Sequence, residues 1–283
     1  MNGFFPFTSK ARKCGNGWVD VCPAHHDRTP SLSISQAEDG RLLLFCHAGC
    51  RFEDIVAAAG IGGVRLGDSY SGSNERSIRD HLDRSEAERT KRAQEIWREG
   101  QPLVGSLSEL YLRSRGIHLC SSHQRHHAGL WLEDTNQLQP ALITAVQRGG
   151  KFVGLHRTYL TDTGAKITKK MLGPCSGGAA HLVGDTGPLV VAEGIETALS
   201  LPALYSNPAR YWAALSAGGM KALELPQRHG ELFIAADGDP AGSKAAEALG
   251  TRAARQGWVV KILTAPEGKD WNDVLMERSD VGI

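Results

Sequence analysis

No stretch of this sequence is apolar for long enough to approach a bilayer span. Residues Met1 to Lys10 lack the charged head and long apolar stretch of an export signal, so a cytoplasmic protein is expected. No Gly-x4-Gly-Lys-Ser/Thr run occurs, which argues against an ATP-driven motor of the P-loop type within the chain. There is no internal repeat. The 32 basic and 31 acidic residues leave a formal charge of +1, so the chain is not a polycation. Any affinity for nucleic acid must come from local patches and metal ions. Nor do the six cysteines form a disulfide framework: Cys22, Cys46 and Cys50 cluster early, while Cys14, Cys120 and Cys175 are scattered.

What is present begins with paired knuckles. Cys22-Pro-Ala-His25 and Cys46-His-Ala-Gly-Cys50 place thiols and an imidazole on two turns, and four such ligands close a structural zinc site. Cys22, His25, Cys46 and Cys50 are the expected ligands, with His47 as the substitute for Cys50. His26 is expected to be exposed, and Cys14 to be a small apolar residue. Short strands at 18–21, 31–35 and 42–45 and a helix at 52–59 surround the knuckles. So small a unit has little core, and metal binding would supply much of its folding free energy.

A polar linker at 67–74 precedes a charged helix from Ile78 to Glu99. There Asp80, Arg84, Glu88 and Arg92 form an alternating i,i+4 ladder, read as a solvated face. Another short helix is expected at 108–116. The middle of the chain is basic, with Arg148, Lys151, His156, Arg157, Lys166, Lys169 and Lys170 unmatched by acids; strands are expected at 141–147 and 152–160. His123, His126 and His127 are read as a loop. After Gly187 strand and helix patterns alternate: strands at 189–192, 211–215, 232–236 and 258–263, helices at 195–204 and 241–256. That is the signature of a parallel α/β sheet, in which ligands sit at the carboxyl ends of strands.

The acids fall at those ends. Glu193 closes one strand, Asp237 and Asp239 follow another, and Asp270 and Asp273 lie beyond a third. Residues i and i+2 at a strand end point the same way, so Asp237 and Asp239 are expected to share a cation. Crowded carboxylates need a cation or protons, and oxygen ligands suit Mg2+ or Mn2+. Taken alone, Asp-Gly-Asp-Pro reads as a polar turn; joined to Glu193 and Gly268-Lys-Asp-Trp-Asn-Asp273 it reads as a cation site. Likewise Ser216-Ala-Gly-Gly219 is either a phosphate-facing nest or a plain turn. Trp18 and Phe45 could stack on bases, but as flanks of small strands they are read as core.

These residues resemble a known family. Glu193-Gly194 before a helix, then Asp237-Gly-Asp-Pro-Ala-Gly-Ser-Lys-Ala-Ala246, resembles the Toprim domain shared by DnaG-type primases and type IA and II topoisomerases. The knuckles resemble the CHC2-type zinc-binding domain of those primases. Phe152-Val-Gly-Leu-His-Arg157 and Lys170-Met-Leu-Gly-Pro174 resemble two segments of their basic subdomain. The arrangement is most similar to primases of phages, plasmids and mobile elements. Two features depart from the pattern: three residues separate Cys46 from Cys50, where many such primases have two, and Asn272 stands where a second Asp often occurs.

The resemblance implies a multidomain α/β and α+β chain. Residues 1–66 would be a zinc-ribbon-like β module, 67–100 a linker and helix, 101–186 a basic α+β subdomain and 187–283 a Toprim sheet. It implies RNA primer synthesis on single-stranded DNA from nucleoside triphosphates, with structural Zn2+, catalytic Mg2+ or Mn2+, and a replicative helicase as partner. No fused helicase can be read in the sequence. Glu193, Asp237, Asp239 and Asp270 would be the catalytic and Mg2+-binding acids. Arg157, Lys169, Lys170, Lys244 and Lys269 would contact nucleotide or template. A non-catalytic recombination mediator and a Toprim nuclease are the competing expectations.

Overall fold

The computed structural model describes residues 8, 10–14, 17–27, 29–36, 42–60, 72–205 and 208–280. The chain divides into two compact units, residues 1–79 and 80–283.

Strict alternation shapes the first unit. Strands β1 (Arg12–Cys14), β2 (Gly17–Asp20), β3 (Leu32–Gln36) and β4 (Leu42–Cys46) pair antiparallel in that order, and helix α1 (Phe52–Ala58) follows. Leu32 and Ile34 of β3 point inward to meet Cys22, Cys46 and Ile55, with Trp18, Leu42 and Leu44 partly buried against them. Leu43 and Phe45, at the intervening positions of β4, face solvent. The strands and helix expected here are present, and β1 is an additional strand. Among the described residues, five buried ones make a thin core. A unit of this size needs a staple beyond its apolar burial.

Helix α2 (Gly72–Glu99) straddles the division between the units. It begins earlier than expected: residues 72–74 of the expected linker are helical, and 67–71 lie outside the described residues. Arg84, Glu88 and Arg92 of the charge ladder are exposed, while the side chain of Asp80 lies outside the described residues.

In the second unit, helix α3 (Leu107–Ser114) precedes an antiparallel meander of β5 (Gln124–Leu132), β6 (Gln137–Arg148), β7 (Lys151–Leu160) and β8 (Lys166–Leu172). The two faces of this sheet are buried differently. One face carries Ala141, Ile143, Leu155 and Tyr159 against Ala93 and Ile96 of α2. The other carries Leu142, Val146 and Leu160 into a core shared with the C-terminal sheet. His126 and His127 belong to β5 rather than to a loop. His126 is buried and its Nδ1 lies 2.8 Å from Ser108 Oγ, while His127 Nε2 lies 3.1 Å from Glu99. Their partners lie far off in sequence, which hid the strand from local pattern.

The C-terminal sheet has the order β13-β12-β10-β11-β9. It comprises β9 (Ala180–Val183), β10 (Leu189–Ala192), β11 (Arg210–Ala213), β12 (Glu231–Ala236) and β13 (Val259–Thr264). Strands β10 to β13 are parallel, and β9 pairs antiparallel with β11 at the edge. Helices α4 (Ile195–Leu204), α5 (Ala217–Ala222), α6 (Pro240–Arg255) and α7 (Trp271–Asp280) flank it. Central β10 is Leu-Val-Val-Ala, buried throughout, as a strand covered on both faces must be. Leu189 and Val191 meet α5 and α6, while Val190 and Ala192 join the core that contains α3, α4, α7 and the meander. From β10 the chain moves first to β11 on one side, then returns to β12 on the other. This reversal opens a crevice at the β10/β12 carboxyl ends. Among the described residues no helix is long and apolar enough to cross a membrane.

The shared core predicts joint unfolding. Leu142→Ala removes a side chain only 1% exposed at the meeting of the two sheets. A loss of about 3 kcal/mol is expected in urea denaturation, with both sheets lost in one transition. Two separate transitions would contradict the shared core.

Candidate functional site

In the first unit, β2 leads into the turn that holds Cys22 and His25, and β4 ends at Cys46. The turn to Cys50 closes through Gly49, whose φ of +91° suits glycine, and Gly49 N–H donates to the Cys46 carbonyl at 3.0 Å. The ligand atoms of Cys22, His25, Cys46 and Cys50 all lie within 4.8 Å of one another. His25 Nδ1 is 3.2 Å from Cys50 Sγ and 3.8 Å from Cys46 Sγ. Tetrahedral zinc with these donors would space them roughly 3.3–3.8 Å apart. Burial pushes the Cys46 thiol up, but the amides of Cys50 and Ala48 point at its sulfur and bring it down to about 7. This Cys3His set has no open position, the pattern of a structural rather than catalytic zinc.

His47 stands apart: its Nε2 lies 2.9 Å from Ser33 Oγ and its ring packs edge-on to Phe45. His26 and Cys14 are exposed. Asp27, overlooked in the sequence, braces the site. It accepts from Cys22 N–H at 3.0 Å and Ser31 Oγ at 2.5 Å, and its Oδ2 lies 3.7 Å from His25 Nε2. A carboxylate behind a ligating imidazole fixes the ring's tautomer and orientation.

In the second unit the acids gather at the crevice. Register pairs Ala192 with Ala235, so Glu193 leaves β10 beside the point where Asp237 leaves β12. The loop after β13 is clipped to the same place: Gly238 N–H donates to the Lys269 carbonyl at 2.8 Å, and Gly268 N–H to the Gly238 carbonyl at 2.9 Å. A Cβ on Gly238 would lie 2.0 Å from the Pro266 carbonyl oxygen, so only glycine permits this approach. Asp270 then caps α7, its Oδ1 accepting from the amides of Asn272 and Asp273 at 2.8 and 2.9 Å. Asp273 Oδ2 reaches back to the Asp270 amide at 3.0 Å, a reciprocal cap.

Glu193, Asp237 and Asp270 line one cleft of about 540 Å³, together with Tyr111, Arg115, Lys166, Lys169 and Glu196. Burial, then the charges of Asp270, Glu193, Asp239 and Asp273, push Asp237 up to about 7. Its Oδ1 is buried without a hydrogen-bond partner. Among the described residues, the Cys3His set is the group gathered tightly enough to hold an ion as it stands. The carboxylates act on one another across the cleft. An orphaned buried oxygen within an all-oxygen donor set fits a hard cation such as Mg2+ or Mn2+, which keeps several waters.

The other expected residues fall elsewhere. Asp239 is exposed and caps α6, accepting from Gly242 N–H at 2.6 Å; it influences Asp237 through space but does not line the cleft. Lys169 reaches the cleft, but Lys170 and Arg157 do not line it. They are direct cross-strand partners. Lys170 pairs with Asp134 at 2.7 Å, and Arg157 donates to Tyr159 and the Met171 carbonyl. The register shift opposite Leu160 makes Ile167 an extra residue, and this bulge puts Lys166 and Lys169 on one face despite their odd spacing. Lys244 is exposed on a shallow groove formed by α6 alone, and Lys269 pairs with Glu277. Ser216 caps α5 by accepting from Gly219 N–H at 2.9 Å, which accounts for that turn.

The family model for the Toprim domain matches residues 188–280. Residues 87–182 match a model described as a domain of unknown function, DUF7146. No curated protein is significantly similar. Among solved structures the chain is similar to the Aquifex aeolicus primase (zinc-binding and RNA polymerase domains), at 16% identity and a TM-score of 0.40, covering 96% of this chain and 78% of that one. Similarity to the primase fragment of the bacteriophage T7 primase-helicase protein is at 15% identity and a TM-score of 0.41, over 93% and 96% of the two chains. A DNA primase domain from Pseudomonas aeruginosa aligns at 16% identity and a TM-score of 0.36, over 62% of this chain and 68% of that one.

The Toprim domain carries four carboxylates, Glu193, Glu196, Asp237 and Asp270, into a cleft that Arg115, Lys166 and Lys169 also line. Sequence reasoning passed over Tyr111, Arg115 and Glu196 as site residues. For Glu196 a signal existed: it stands three residues after Glu193 at the start of a helix.

Elemental analysis should find one zinc per chain, and chelation should unfold residues 12–58 while 80–283 stay folded, as read by exchange of backbone amides. The raised Asp237 pKa stabilises the cation-free fold below the unfolded value near 4, and this contribution is lost as pH rises through about 7. Mg2+ should therefore raise the melting temperature more at pH 8 than at pH 6, and Asp237→Asn should remove that difference.

Proposed function

We propose that this chain is a primase, making short RNA primers on single-stranded DNA by metal-dependent nucleotidyl transfer for a phage, plasmid or mobile element. The observation that carries the reading is the cleft of the Toprim domain, where Glu193, Asp237 and Asp270 face Arg115, Lys166 and Lys169. A site with fixed anions on one wall and cations on the other suits a polyanionic substrate that arrives with a divalent ion.

Glu193, Asp237 and Asp270 would hold that ion, with Asp239 supporting the negative field from the helix cap. Mg2+ or Mn2+ would act there as a Lewis acid on phosphate oxygens. Lys169 and Arg115, which line the cleft, would neutralise charge on the triphosphate and keep it in line for displacement of pyrophosphate. Glu193 serves as ligand or as the group that takes the proton of the attacking 3′-hydroxyl. Arg157, Lys170, Lys244 and Lys269 lie outside the cleft and would act, if at all, on the template backbone.

The zinc module offers a surface for that template. Phe45 is 55% exposed, with Leu43 exposed on the same face of β4, whereas Trp18 packs on the core. An exposed aromatic on a small rigid sheet is a stacking platform for unpaired bases. The reading further calls for a cytoplasmic location and a replicative helicase as partner.

The decisive experiment incubates the protein with single-stranded DNA, labelled nucleoside triphosphates and Mg2+ or Mn2+. Short labelled RNA is the expected product. Shortened DNA would indicate a nuclease, and a gel shift alone a binding mediator; either overturns the reading. Asp237→Ala should abolish synthesis and leave the melting temperature of the zinc module unchanged. Phe45→Ala should weaken single-stranded DNA binding by about 1–3 kcal/mol, measured by anisotropy.

A further inference from the structure

Glu196 has the sequence position of a fourth cation ligand, yet its surroundings give it different work. It sits on the first turn of α4 and lines the same cleft as Glu193 and Asp237. Its side chain is only 15% exposed. Its Oε1 accepts from the Tyr111 hydroxyl of α3 and from Lys166 Nζ of β8, the latter at 2.8 Å. Burial alone would raise the carboxylate pKa, but Lys166 and Tyr111 hold it down to about 2. Side chains from two other elements, α3 and β8, therefore converge on this one carboxylate.

Lys166 is the key to what this does. The Ile167 bulge turns it into the cleft, where a flexible ammonium would be drawn to the nearest carboxylates. Yet Asp237 Oδ1 remains buried and unpartnered in a cleft that three cations line. The ammonium is bound to Glu196 instead. His156 is 4% exposed with its Nδ1 unpartnered; burial first, and then Lys169, Lys166 and Arg157, hold its pKa down to about 4 despite Glu196, so the ring adds no cation near this carboxylate.

We propose that Glu196 is a positioning residue that keeps Lys166 off the Asp237 carboxylate and so keeps the divalent-cation site open. Glu196 is not itself a ligand of that cation. An ammonium has three donors, and the one given to Glu196 leaves two for a phosphate of the arriving nucleotide. The inference rests on the reading of the acids as a cation site and adds the device that prevents the protein's own lysine from occupying it.

The test is Mn2+ binding to the full chain without nucleotide, followed by the electron paramagnetic resonance of free Mn2+. Glu196→Gln releases Lys166 and is expected to weaken Mn2+ binding about tenfold. Lys166→Met alone should leave the affinity intact. Glu196→Gln combined with Lys166→Met should return it to within about threefold of the Lys166→Met protein, a non-additivity that loss of a ligand cannot produce. If the Gln variant does not fold, Glu196→Asp, which keeps the charge but shortens the reach, carries the same comparison. An unchanged affinity in the Glu196 variant overturns the inference alone, as does an equal loss in the single and double variants. Wild-type protein that binds no Mn2+ overturns the cation site and the inference together.

Discussion

Mutual repulsion among carboxylates at the β10/β12 crevice is the constraint around which the second unit is arranged. The parallel sheet reverses its direction of growth between these strands, which brings Glu193 and Asp237 out side by side. The clip between Gly238 and the Gly268–Lys269 loop adds Asp270 from a third strand. Burial of Asp237 among these charges is unfavourable by itself. Each neighbouring feature limits that cost: Asp239 and Asp270 spend oxygens on helix caps, and Glu196 is neutralised by Lys166.

The opposite wall depends on a different principle. The meander does not merely precede the Toprim domain; its inner face is part of the same core. Leu142, Val146 and Leu160 pack with residues of β10, α4 and α7, so the basic face of β8 is held at a fixed distance from the acids. Asn272 strengthens the junction by donating to the Arg115 carbonyl at 2.7 Å and to Ser200 Oγ at 2.9 Å. An aspartate there would put another charge into a fully buried position. The amide instead ties the helix capped by Asp270 to the turn that presents Arg115.

The zinc module works on a smaller scale with the same logic. Its sheet supplies too few apolar contacts to be self-sufficient, and its ligands are braced by Asp27 through hydrogen bonds to the turn around them. The expected ligand set, the three short strands around it and helix α1 were all legible because knuckle spacing and strand alternation are local. Phe45 was not: alternation permits either face, and only pairing with β3 decides that Leu42, Leu44 and Cys46 turn inward.

From the sequence alone came the order of modules, the four parallel strands after Gly187 with helices α4 and α6 but not α5 or α7, the Cys3His ligands and the placement of acids at strand ends. All of these depend on spacing within one or two elements. The tertiary structure decided which acids share a cleft, that Asp239 serves as a cap, and that Lys166 and Lys169 face the site while Lys170 and Arg157 do not. A bulge inverts the facing of every residue beyond it, and a capping bond reassigns a carboxylate, yet neither leaves a trace in composition or period. Strand β5 and the Tyr111–Glu196–Lys166 contact stayed hidden for a related reason: their partners meet only after distant segments have packed.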